Sequence, residues 1–85
     1  MSTKEKLINK LFQRKLPRDF SKHELDTLMS KCGCKKGPGG RGSGIRYVHE
    51  GTGAVLAFDE PHPEENLYPY QIKDTREFLH RIGEH

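Results

Sequence analysis

The run Gly37-Pro38-Gly39-Gly40-Arg41-Gly42-Ser43-Gly44 constrains this 85-residue chain more than any other segment. Five of its eight residues are glycine, so neither a helix nor a regular strand runs through it. It falls near the middle of the chain, so the elements on either side must be short. At this length roughly 60% of the unfolded surface is buried on folding. With an apolar fraction of 32%, that supports a single small core. Large multi-step enzymes, cofactor-spanning folds and repeat arrays are excluded.

Before the loop, Ser2 and Glu5 have capping-box spacing. Leu7, Ile8, Leu11 and Phe12 then recur at helical intervals until Pro17. This predicts a first helix over about 3–15. Ser21 and Glu24 form a second capping box, with Phe20 placed to staple onto Leu25. Leu25, Leu28, Met29 and Cys32 follow at i, i+3, i+4 and i+7, and Gly33 suits a left-handed helix end. A helix over 21–32 follows, and then a short strand through Cys34, Lys35 and Lys36.

After the loop, Ile45 to His49 and Ala54 to Phe58 are rich in β-formers around the turn Glu50-Gly51-Thr52-Gly53. They predict a hairpin in which Tyr47 opposes Leu56, Ile45 opposes Phe58 and Gly44 lies near Asp59. From Tyr70, Ile72, Thr75, Leu79 and Ile82 mark a last amphipathic helix, which Gly83 ends. The order α, α, β, β, β, α predicts an α+β domain of two layers, helices on one face of an antiparallel sheet.

Charge is divided unevenly. Residues 1–46 hold 12 Lys/Arg and 4 Asp/Glu, a balance of +8, whereas residues 47–85 hold 3 and 8, a balance of −5. Lys31, Lys35, Lys36, Arg41 and Arg46 fall within 16 residues that contain no acid. Glycine lets backbone N–H groups approach a phosphate, and cations dominate nucleic-acid affinity. The stretch therefore points to an anionic partner, with a flexible solubilising loop as the plain alternative. It is not a Walker A loop, because no Gly-Lys-Ser/Thr closes it.

No run of 18 apolar residues and no apolar segment after Met1 predicts a membrane span or a secretory signal. Cys32 and Cys34 are too close to form a useful disulfide, so free thiols and a cytoplasmic setting are expected. A zinc set of Cys32, Cys34, His49 and His62 can be assembled, but it matches structural zinc spacing poorly, and no metal or cofactor is expected. His62, confined between Pro61 and Pro63, is the first candidate for acid/base chemistry, and His49 is the second. The hairpin register brings the 59–62 segment toward Ser43 and Arg41, while it leaves His49 at the opposite end. Ser43 lacks an identifiable base and oxyanion site. It is counted instead with Lys35, Lys36, Arg41 and Arg46 as a contact for the anionic partner. Tyr47 is either a core residue or a surface on which a base stacks.

A helix, a short strand, a basic turn with Gly42-Ser43, a hairpin, Pro61-His62-Pro63, Leu67 and a terminal amphipathic helix follow in order. Over residues 19–83 this pattern resembles the HicA toxin family. The resemblance implies a fold like a double-stranded-RNA-binding domain over 19–85, with residues 1–18 as a helical extension. It also implies an mRNA interferase, a metal-independent endoribonuclease of a toxin–antitoxin pair, neutralised by a HicB-type antitoxin. The family's usual Gly-Ser-His motif places a catalytic histidine where Gly44 stands here. Three explanations stay open: an inactivating substitution, a divergent branch in which another histidine serves, or a module that binds RNA or antitoxin without cleaving. In the second case His62 would assist attack by a ribose 2′-OH, and Lys36, Arg41 and Arg46 would stabilise the phosphoryl charge.

Overall fold

A computed structural model of the chain describes residues 3–39, 44–61 and 64–85. Ser2, Arg41, Ser43 and His62 therefore lie outside the described residues. Three helices, α1 (Thr3–Leu11), α2 (Lys22–Lys31) and α3 (Pro69–Arg81), accompany three strands, β1 (Cys34–Pro38), β2 (Gly44–His49) and β3 (Val55–Asp59). The strands form one antiparallel sheet in the order β1-β2-β3. The architecture is α+β, compatible with an α-β-β-β-α layout preceded by a helix. No helix among the described residues is long and apolar enough to cross a membrane.

Local chemistry accounts for the element ends. Ser21 Oγ accepts from the Glu24 N–H at 3.0 Å, and Glu24 Oε1 accepts from the Ser21 N–H at 2.9 Å, completing the capping box. Gly33 and Gly83 adopt φ values of 81° and 80° directly after the C-caps Cys32 and Ile82 of α2 and α3, where a side chain would be strained. At α3, Pro69 occupies the first turn, and Gln71 Oε1 accepts the Tyr68 N–H at 2.9 Å.

One core joins all three helices to the sheet. Leu7, Ile8 and Leu11 of α1, Leu25, Leu28 and Met29 of α2, and Ile72, Phe78 and Leu79 of α3 pack with Ile45, Tyr47 and Leu56. Phe20 is fully buried in the same cluster. The first helix ends at Leu11, earlier than the spacing predicts. Beyond it, Arg76 of α3 takes the free carbonyls: its Nε donates to Leu11 O at 2.6 Å and its Nη2 to Gln13 O at 2.8 Å. The hairpin register is the expected one, with Ile45↔Phe58, Tyr47↔Leu56 and Gly44↔Asp59. The first strand runs two residues further than predicted, to Pro38.

Candidate nucleic-acid interface

Strand pairing sorts the sheet into two faces, because side chains alternate along each strand and paired residues share a side. Tyr47 pairs with Lys36 and with Leu56, and Ile45 pairs with Phe58. These residues belong to the helix-covered side. The opposite side carries Lys35, Val48 and Val55 in one row, and Gly37, Arg46 and Ala57 in the next. Lys35, Arg46, Val55 and Ala57 are exposed, as expected of a sheet covered on one face only.

Arg46 is the centre of that open face. Its neighbours on either strand, Gly37 and Ala57, are small, and Arg46 is exposed. Among the described residues it has no hydrogen-bond or ion-pair partner. Lys35 stands one row away, and its ammonium lies 3.6 Å from Glu50. With side chains 77% and 62% exposed, that pair is largely screened and leaves Lys35 free to meet another anion.

Lys36 is separated from these two cations. Its ammonium reaches across to α2, 3.1 Å from Asp26 Oδ1 and 3.2 Å from Asp26 Oδ2. The Tyr47 hydroxyl donates to the same carboxylate. Burial, reinforced by the bond to Asp26 and its charge, raises the Tyr47 phenol well above its ordinary range, so it stays a neutral donor. Only 2% exposed, Tyr47 is a core residue and not a platform for a base. Asp26, Ser30, Cys34, Lys36 and Tyr47 together line a small cavity of about 310 Å³. Asp26 is a site residue that sequence reasoning missed. It lies beside the apolar stripe of α2, and its partners come from strands that spacing along the helix does not reveal.

At the glycine-rich end, the Gly39 N–H donates to Gly44 O at 2.9 Å and closes the base of the loop. A Cβ on Gly39 would lie 2.7 Å from the backbone of Gly44 and Ile45, so this position requires glycine. Gly44, where the HicA pattern has histidine, pairs with Asp59. The chain beyond Asp59 is tied to α2: Lys22 Nζ donates to Pro61 O at 3.3 Å. His62 follows it, outside the described residues, as do Arg41 and Ser43 in the loop.

His49 sits roughly 16 Å away at the other end of β2, five strand residues from Gly44. Its Nδ1 accepts from the Thr52 N–H at 3.2 Å and lies 2.9 Å from Thr52 Oγ1. Its ring lies over Gly51. These contacts employ His49 in the hairpin turn.

Cys32 is buried in the core, and burial pushes its thiol up to about 11. Burial also raises the thiol of Cys34. Neither is poised as a thiolate nucleophile or ligand. Among the described residues, no three His, Cys, Asp or Glu side chains converge on a point where a metal ion could sit.

No family model, curated protein or solved structure matches the chain.

Proposed function

We propose that this chain binds RNA through its open sheet face and the adjoining glycine-rich loop, as the toxin of a HicA-type toxin–antitoxin pair. Arg46 carries the proposal: an exposed guanidinium, unpaired among the described residues, flanked by Gly37 and Ala57 and one row from Lys35, on a face that no described helix covers. Arginine in that setting pairs with phosphate in a planar, bidentate manner. Arg41 and Ser43 would extend the contact along the loop. The order of helices and strands supports a domain like those that bind double-stranded RNA. Its partners are mRNA and a HicB-type antitoxin, and the cytoplasm is the compartment where they would meet.

Cleavage in this proposal is metal-independent. His62 takes the proton of the ribose 2′-OH, whose oxygen attacks the adjacent phosphorus. The P–O5′ bond breaks to leave a 2′,3′-cyclic phosphate, and the departing 5′-oxygen takes a proton from solvent. The loop cations steady the phosphoryl oxygens. A specific observation favours a second function, a module that binds RNA or antitoxin without cutting: Gly44 stands at the HicA histidine position, and His49 is engaged in its turn. Purified protein incubated with mixed RNA in EDTA separates the two. The toxin assignment expects cleavage by the wild type and none by His62→Ala. Equal cleavage by both removes His62 from the role. Intact RNA in both samples eliminates the nuclease and leaves the binding module, which is tested by fluorescence anisotropy with Arg46→Ala.

A further inference from the structure

The connection between α1 and α2 and the segment leading into α3 enclose a second feature, an open groove of about 840 Å³. Leu16, Pro17, Leu67 and Tyr68 give it an apolar lining, and Lys15 and Arg18 give it positive charge against one acid, Glu64. Its walls are fixed to each other by backbone bonds. Lys22 N donates to Glu65 O at 2.8 Å, and Leu67 N donates to Phe20 O at 2.9 Å. Nearby Lys10 and Lys22 are committed to Glu24 and Glu60. Lys15 and Arg18 make no ion pair or hydrogen bond among the described residues.

Tyr68 is 37% exposed and Tyr70 53% exposed. Their rings lie 6.4 Å apart and within 14° of parallel. Gln71, between them and the sheet, donates from Nε2 to Asp59 O at 2.7 Å, and Asp59 pairs with Gly44. The tyrosines therefore stand at the same end of the sheet as the glycine-rich loop. Cations unpaired among the described residues select an anionic occupant. Exposed parallel rings select one with flat π faces. A single-stranded nucleic acid alternates the two along its length.

We propose that this groove seats a base of single-stranded RNA against Tyr68, with Lys15 and Arg18 on the neighbouring phosphates. The proposal rests on the RNA-binding function above and extends the RNA path from the loop onto the helical layer. Stacking on an aromatic ring tolerates any base, so the groove would hold the strand without reading its sequence.

The test is fluorescence anisotropy of a labelled single-stranded RNA decamer over a salt series, using the full chain. Tyr68→Ala is expected to weaken binding about tenfold at an unchanged salt slope, because stacking releases no counterions. Tyr68→Phe is expected to bind as the wild type does. Arg18→Ala is expected to lower the salt slope by about one. Because Tyr68 engages the α3 cap through its backbone N–H, alanine leaves the cap in place. Wild-type affinity in Tyr68→Ala alongside weakened Arg46→Ala overturns the groove and leaves RNA binding intact. Equal losses in Tyr68→Phe and Tyr68→Ala overturn stacking. No binding by the wild type overturns both proposals.

Discussion

The Tyr47 hydroxyl donates a hydrogen bond to the carboxylate of Asp26, joining the middle of β2 to α2. The same carboxylate holds Lys36. The contact does two things. It satisfies a phenol that is otherwise enclosed by the core, and its carboxylate holds the Lys36 ammonium that strand alternation has already placed on the helical side, away from Lys35 and Arg46. The open face is thereby left with two cations rather than three.

Removing either end of this contact should cost unequal amounts. Tyr47→Phe loses one hydrogen bond and leaves Asp26 still paired with Lys36, which is expected to cost about 1 kcal/mol. Asp26→Ala strands the Tyr47 hydroxyl, and the expected cost is about 1–3 kcal/mol. Urea denaturation of the two variants and their double mutant checks the order.

Arg76 anchors the N-terminal helix to the rest of the domain through two backbone carbonyls. Arg76→Ala is expected to destabilise the protein by about 1.5–3 kcal/mol, since its hydrogen bonds are charge-assisted. Arg76→Lys should recover only part of that, because an ammonium lacks the planar fork. Amide hydrogen exchange should quicken first at the C-terminal end of α1.

Two glycines of similar context should behave differently. Gly39→Ala places a methyl 2.7 Å from backbone atoms of Gly44 and Ile45, whereas at Gly37 a methyl meets nothing within 4 Å. Gly39→Ala is expected to cost about 1–3 kcal/mol. Gly37→Ala is expected to stay within about 0.5 kcal/mol. Thermal melts of the pair decide it.

The thiol of Cys32 is raised by burial from 9.0 to about 11. Between those values the unfolded chain has released a proton that the folded chain still holds. Stability is therefore fully present below pH 9.0 and is lost as pH rises toward about 11. Tyr47, raised in the same direction, adds to the loss above its ordinary range. Denaturation midpoints measured at rising alkaline pH should fall, and Cys32→Ala should soften the decline. At pH 8, native protein should react with iodoacetamide far more slowly than unfolded protein.

Much of the fold was legible in the residues because it is specified locally. The Ser21–Glu24 box, Gly33, Gly83 and the pairing around the Glu50–Gly53 turn each depend on neighbours a few positions apart. What could not be read depends on residues brought together from afar. Arg76 reaches Leu11 across 65 positions, and Tyr47 reaches Asp26 across 21. The end of α1 meets such a contact, whereas Lys36 leaves the basic face because adjacent strand residues alternate sides. Of the candidate site, Lys35 and Arg46 were identifiable as cations, but their sharing of one face required the strand register. Tyr68 and Leu16 gave no signal of a common groove, because the walls come from opposite halves of the chain.

The most direct measurement is a titration of ¹⁵N-labelled protein with single-stranded RNA, followed by amide chemical shifts. RNA on the open face should move Lys35, Gly37, Arg46 and Ala57 while leaving the exposed Thr3, Lys6 and Asn9 of α1 in place, and Arg46→Ala should weaken the response. Shifts confined to α1, or no shifts under saturating RNA, would contradict the assignment of this face to RNA.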